Sequence, residues 1–276
     1  MGSAVPHDWS SERSTLGAPS ARSLLFTVLG EYVLPHGGEA WSAALIRALG
    51  ALGVEEPAAR QAIARTASDG WLEPQRVGRH VRWHLTPAGH RLLAAGAERI
   101  YGFGRSQDDW DGNWLLLFVD EGDGARDKRH RLRTRLAWAG FGSLRAGTWI
   151  AAHTEREDEA RAVLKELDLE RAVSFVASSG EIGDPSDFIG EAWDLELLEA
   201  RYEEFVSAFE PARPTSDEAA FVALTRLVHE WRKFPFLDPG LPTRLLPRRW
   251  SGDRARKLFE QRRRDWGPRA RRWLEE

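Results

Sequence analysis

The sequence predicts an α+β chain of three successive units, and three observations carry that prediction. Residues 55–85 read as a helix followed at once by a basic two-stranded ribbon; residues 114–177 run through strand and helix signals in the order βαββαβ; from residue 195 on, the periodicity is helical. The expected divisions are a tail at 1–18, a winged helix-turn-helix at 19–104, a ferredoxin-like unit at 105–180 and a helical unit at 181–276.

The first 18 residues are rich in Ser, Gly, Ala and Pro with scattered charge, the composition of a disordered tail. Ser20 or Ser23 can cap the helix that follows, whose Leu24, Leu25, Val28, Leu29 and Tyr32 form an apolar stripe ending at Pro35, Gly37 and Gly38. A second helix spans Trp41 to Leu52, and Gly53 turns the chain into the third. There Pro57 suits the first turn, and Gly70 stops the helix. Ala59, Ala62, Ile63 and Thr66 share one small-residue face, so Arg60, Gln61, Ala64, Arg65 and Ser68 point elsewhere. Such a surface carries donors with little bulk, as entry into a DNA major groove requires. Trp71 and Leu72 begin a strand, Gln75 to Arg79 turn around Gly78, and Val81 and Trp83 alternate with Arg82 and His84 on the return. Arg76, Arg79 and His80 at the tip, with Arg82, suit phosphate contact while Arg60, Gln61, Arg65 and Ser68 reach base edges.

Thr86 and Pro87 open a connecting helix that Gly102 and Gly104 end. In the middle unit Trp114 to Val119 is a continuous apolar run, hence a buried strand; Lys128 to Ala139 is a helix; Gly142 to Arg145 and Thr148 to Ala152 are short strands; Asp158 to Leu167 is a helix and Ala172 to Ala177 the last strand. Gly180 to Pro185 reads as a linker. Helices follow at Leu195 to Phe209, Ser216 to Trp231 and Asp253 to Asp265, with a final turn near Arg271. The proline-rich Phe234 to Trp250 lies between the last two, and an ordered loop of that length usually holds something in place.

Composition narrows the function. No cysteine is present among the 276 residues, which excludes disulfides, thiolate-bound zinc and a thiol nucleophile. With 42% hydrophobic and 29% charged residues, and no apolar run long enough for a bilayer or an export signal, a cytoplasmic protein is expected. The net charge of −3 hides strong separation. Residues 155–204 hold 16 acids against 5 bases, 244–272 hold 12 bases against 3 acids, and six of the ten residues 126–135 are Arg or Lys. Such asymmetry points to contact between domains or subunits, with the basic C-terminal helix a candidate partner for the acidic stretch.

From Ser20 to about Phe259 the chain resembles the PaaX family of bacterial repressors of phenylacetic acid catabolism. DGWL at Asp69 to Leu72, WDGNWLLL at Trp110 to Leu117, RLRTRLAWAGFGSLRAGTWIA at Arg131 to Ala151 and HEWRKFPFLDPGLPTRLLPRRWSG at His229 to Gly252 carry the resemblance. The last two are long and compositionally odd. The resemblance implies an N-terminal winged helix, a middle domain similar to the Cas2 nuclease fold and a helical C-terminal domain. It further implies a homodimer that binds a palindromic duplex operator and leaves it on binding an aryl-CoA thioester such as phenylacetyl-CoA. No cofactor is expected. Ala64 and Thr66 depart from the family's pattern, so the operator sequence is expected to differ.

A CoA thioester needs cations for its phosphates and an aromatic slot for its acyl end. Trp231, Arg232, Lys233, Phe234 and Phe236 offer both kinds, with Trp149 and Trp193 as candidates to approach from elsewhere. The enzymatic alternative is a metal-dependent nuclease on the Cas2-like unit, with Asp120 ending the first strand and Glu121 and Asp123 nearby. The more economical reading of Asp120 is a helix cap or a solvated acid, and no GxSxG, GxxxxGK[ST] or HExxH is present. Asp109, Asp111 and Asn113 begin like a calcium loop, but Trp114 stands where glycine is required.

Overall fold

The computed structural model describes residues 19–104, 110–120 and 126–276, except the side chains of residues 185 and 186. The tail, Asp109, Glu121 and Asp123 lie outside the described residues. Helix α1 (Ala21–Val28) is capped by the Ser20 hydroxyl, which accepts from the Ser23 amide, and continues as a π-turn over Leu29–Val33. Strand β1 (Glu39–Trp41) precedes α2 (Ser42–Ala51) and α3 (Glu56–Ser68). Ala59, Ala62, Ile63 and Thr66 are buried as the spacing predicts. Strands β2 (Leu72–Val77) and β3 (His80–Leu85) then form a hairpin that is tighter than predicted. Only Gly78 and Arg79 turn the chain, with Gly78 at φ +61°, a conformation glycine adopts without a Cβ penalty.

The sequence reading missed β1, which pairs antiparallel with β3 and makes the ribbon a three-stranded sheet of order β1-β3-β2. Three residues are too few to show alternation. Helix α4 (Pro87–Gly102), capped by Thr86, leads away from the foot of the ribbon.

The middle unit follows the predicted order: β4 (Asn113–Val119), α5 (Arg126–Trp138), β5 (Gly142–Arg145), β6 (Thr148–Ala151), α6 (Glu157–Glu166) and β7 (Ala172–Ser178). The four strands form one antiparallel sheet, β5-β6-β4-β7. One face packs on α5 and α6 through Leu115, Leu117, Leu132, Leu136, Phe141 and Trp149. The other is partly covered by α7 (Pro185–Ala192), a helix the sequence reading left unassigned beyond the linker. Ile189 of α7 and Leu241 of the proline-rich segment bury Trp114 and Ile150 there.

The last unit comprises α8 (Leu195–Phe209), α9 (Asp217–Trp231), the single turn α10 (Phe234–Leu237) and α11 (Ser251–Glu275). Helix α11 corrects the expectation of a helix ending at Asp265 with a separate turn near Arg271: it passes through Gly267 and Pro268 without ending. Burial of Phe259, Trp266 and Ala270 on one stripe holds the helix together where local propensity would stop it. The first and last units share one continuous core, running from Leu25, Leu49 and Ile63 to Phe221, Trp231 and Phe259. The middle unit keeps its own.

Candidate nucleic-acid interface and the joint behind it

The exposed surface of α3 and the ribbon tip carry the predicted residues in distinct states. Gln61, Arg65 and Ser68 are exposed, and their side chains have no partner among the described residues. Arg60 is exposed but ion-paired with Glu56 one turn back, at 2.6 Å. At the tip Arg76 is exposed and unpaired among the described residues, while Arg79 Nε donates to His80 Nε2 at 3.4 Å. Arg82 is the exception to the phosphate assignment. It is half-buried, pairs with Glu39 at 3.0 Å and lies 4.3 Å from the centre of the Trp41 ring, so its charge fixes the ribbon to β1. Trp83 adds a 2.7 Å hydrogen bond to the Ser42 hydroxyl, and His84 sits between Gln75 and Glu39. The foot thus presents Arg76 and Arg79 at an exposed tip, with the His80 ring edge-on to Trp41 at 6.2 Å.

The residues expected to hold an effector do not form one slot. Trp231 is 1% exposed and stacks on Phe259, with ring centres 4.6 Å apart. Phe234 stacks on Tyr202 at 4.1 Å, and Lys233 pairs with Glu230 on the surface. Trp149 lies in the core of the middle unit, apart from the Trp231 cluster. Large aromatics pack against one another in the core here, Trp231 touching Phe205, Phe234 and Phe259.

Arg232, at 6% exposure, instead faces α1, donating to the Ser23 hydroxyl at 3.2 Å. His229 is beside it, its Nδ1 3.0 Å from Thr27 Oγ1 and its Nε2 3.5 Å from Ser23 Oγ. Since Thr27 donates to the Ser23 carbonyl, the imidazole fits as an Nδ1–H donor to Thr27 and an Nε2 acceptor. Burial, aided by the charges of Arg232 and Lys233, lowers its pKa to about 2, so the ring is neutral.

The same segment ties all three units together. Arg99, near the end of α4, donates to the carbonyls of Trp138 and Pro235 at 2.9 and 3.1 Å, and its guanidinium lies 4.5 Å from the centre of the Phe236 ring. Arg156 donates to Ala139 O at 2.7 Å and Pro239 O at 3.1 Å. Gly140 is needed at that approach, because a Cβ there would stand 1.8 Å from the Arg156 guanidinium. His153 bonds Gly240 O at 2.7 Å, and Tyr202 donates to the buried Asp238 carboxylate at 2.6 Å. Burial and that carboxylate push the Tyr202 phenol well above its ordinary range, which keeps it a donor. The proline-rich loop therefore holds the units in place, as its length suggested.

A second tie joins the first and last units directly. Glu31, turned inward by the π-turn, accepts from the Tyr101 hydroxyl and from Arg263 Nε at 2.9 Å, with Arg263 over the Tyr101 ring at 4.1 Å. Arg47 of α2 donates to the last carbonyls of α11, at Trp273 and Leu274. Sequence reading passed over Arg99, Arg156, His153, Asp238 and Glu31, since each acts on partners distant in the chain.

Asp120 follows the end of β4, exposed, with Arg171 Nε 3.4 Å away. Asp111 holds the Asn113 amide, which keeps its carboxyl below the usual range; that fits a turn rather than a calcium loop. No group of three or more metal-type ligands comes together among the described residues, and no helix among them is long and apolar enough to cross a membrane.

This architecture, with a helix-and-ribbon head, an antiparallel sheet carrying helices, and a helical cap, defines a class of three-part α+β proteins built around a Cas2-like centre. Residues 107–189 match the family described as PaaX protein central Cas2-like domain, 20–89 match PaaX-like protein, and 193–276 match PaaX-like protein C-terminal domain. The transcriptional repressor PaaX of Escherichia coli K12 is 31% identical over 251 residues, covering 87% of this chain and 78% of that protein. The chain belongs to the PaaX family. Its fold is also similar to that of an uncharacterized protein of Mycobacterium tuberculosis, at TM-score 0.65 and 24% identity over 93% of this chain and 99% of the other.

Proposed function

We propose that the chain is a cytoplasmic, DNA-binding transcriptional repressor whose first unit acts as a winged helix-turn-helix. The observation that carries this reading is the pairing of a braced foot with exposed donors: Gln61, Arg65 and Ser68 on α3 and Arg76 on the ribbon, unpaired among the described residues, with Arg79 bonded only to its neighbour His80 there. Helix α3 reads base edges and the tip holds phosphates. Arg60 joins the base contacts by leaving its exposed pair with Glu56, which holds it only weakly. The E. coli relative's name as a repressor supports the direction of control.

In this reading the protein acts as a homodimer on a palindromic operator, its two heads about 34 Å apart on successive major-groove faces. An aryl-CoA thioester, with phenylacetyl-CoA the first candidate from the family resemblance, releases it. The ligand works by preferring a geometry in which the heads no longer match the operator, which takes roughly 1–3 kcal/mol of coupling. Arg232, between α9 and α1, and the loop that receives Arg99 and Arg156 are the parts through which the last two units hold the head. The protein is a regulator rather than a catalyst, with Asp120 held beside Arg171.

Titrating duplex from upstream of the chain's own gene, with magnesium present, tests this reading. Saturable binding without cleavage, weakening steeply as salt rises, is the expected result. Magnesium-dependent cleavage that Asp120→Ala abolishes would overturn it in favour of a nuclease.

A further inference from the structure

We infer that the outer face of α5 is a second duplex-DNA contact, gripping phosphates beyond the reach of α3 and the ribbon; this rests on the DNA-binding reading above. Helix α5 carries Arg126, Arg129, His130 and Arg133 at positions i, i+3, i+4 and i+7. That spacing puts the four within one arc of about 100° and along about 10 Å of the helix. All four are exposed, and none makes a hydrogen bond or ion pair among the described residues.

The other cations of α5 are engaged. Lys128 donates to Asp168 O at 2.9 Å, and Arg131 and Arg135 approach Glu166 at 3.7 and 3.0 Å. Charge on the side facing α6 is thus answered within the unit, while the outer stripe keeps guanidinium groups one turn apart that repel each other. A dense polyanion offsets that repulsion. Duplex DNA presents one charge per about 1.7 Å of axis, so about six phosphate charges fall within the length of the stripe.

The placement also fits. Helix α4 starts at the ribbon foot, where Thr86 Oγ1 donates to Gly70 O, and near its far end Arg99 holds the last turn of α5 through Trp138 O. Its 16 residues span about 24 Å, and the stripe begins at Arg133, five residues or about 8 Å back along α5 from Trp138, so the nearest stripe arginine lies within about one duplex turn of the ribbon foot.

The test uses the full chain and anisotropy titrations on two duplexes from upstream of its gene, one of about two helical turns and one of about six. For Arg126→Gln/Arg129→Gln/Arg133→Gln, the slope of log affinity against log salt on the long duplex is expected to become shallower by about 2 to 3. Affinity there should fall on the order of 100-fold at about 0.1 M salt, with binding to the short duplex unchanged. The reversal pair Arg129→Glu/Arg133→Glu should weaken long-duplex binding further, and melting temperature should stay at the parent's value in both variants. Equal slopes and affinities on the long duplex, with the parent binding both, would overturn the stripe assignment and leave the DNA-binding reading standing. A parent that binds neither duplex would overturn both. A variant that keeps long-duplex affinity but no longer responds to phenylacetyl-CoA would assign the stripe to that ligand's phosphates and overturn the inference.

Discussion

Helices α5 and α11 are both dense in arginine, and the fold uses their charge in different ways. Along α11, Arg254 pairs with Glu210, Arg263 with Glu31, Arg256 with Glu260, and Arg269 and Arg272 share Asp217. Arg262 reaches the carbonyl of Glu210 at 2.5 Å. Those acids lie outside residues 155–204, so the expected match between the basic C-terminal stretch and the acidic stretch is not how these arginines are held. The acidic stretch reaches α11 through Glu199, which accepts from the Ser251 amide at the start of the helix. Along α5 the outer arginines meet no carboxylate among the described residues. A run of arginine in a sequence thus says little until its partners are known. On α11 most of the paired arginines bind the helix to another part of the fold, and on α5 the outer arginines are left for something outside.

Four outcomes would break or sharpen that contrast. The largest concerns the exposed cations of the head: Arg65→Ala combined with Arg79→Ala should cost about 2–4 kcal/mol of operator affinity, measured by anisotropy, while melting stays unchanged. Loss of stability instead would mean that these side chains hold the fold.

Next comes the charge that α11 directs inward. Arg263→Ala leaves Glu31 buried with only the Tyr101 hydroxyl to answer it among the described residues. Allowing for the partial exposure of the guanidinium, urea denaturation should show a loss of about 2 kcal/mol; a change under about 0.5 kcal/mol would make the pair incidental.

The joint at His229 has a pH signature. Its folded pKa, depressed by burial and then by Arg232 and Lys233 to about 2, lies below the ordinary 6.5 of the unfolded chain. The unfolded state therefore binds the extra proton between those values, and the stability is complete above about 6.5 and declines as pH falls. The slope contributed is up to about 1.4 kcal/mol per pH unit. His229→Asn, which can still donate to Thr27, should flatten denaturation profiles between about pH 6.5 and about pH 4; identical profiles would contradict a buried neutral imidazole.

The smallest effect belongs to α5. Arg129→Gln/Arg133→Gln should leave unfolding free energy within about 0.5 kcal/mol of the parent, because both side chains are exposed and unpaired among the described residues.

Elements with strong local signatures were legible in the sequence. The small-residue stripe of α3, the caps at Ser20 and Thr86, the continuous apolar β4 and the βαββαβ order all reappear. The elements that were not legible depend on distant partners. β1 exists because β3 offers it an edge, α7 because the second face of the sheet must be covered, and α11 continues past Pro268 because Trp266 and Ala270 are buried. Site reading divided along the same line. Exposed donors on α3 and at the ribbon tip could be placed by periodicity, but Arg82 was claimed by Glu39 and Trp41. The cluster from Trp231 to Phe234 looked like a ligand slot because composition does not distinguish an aromatic pocket from an aromatic core.

The most direct measurement is an anisotropy titration of the full chain on duplex from upstream of its own gene, at fixed salt, with and without phenylacetyl-CoA. The account expects tight binding released by phenylacetyl-CoA but not by free phenylacetate or CoA. Failure to bind any such duplex would contradict it, and binding that phenylacetyl-CoA leaves untouched would remove that thioester as the effector.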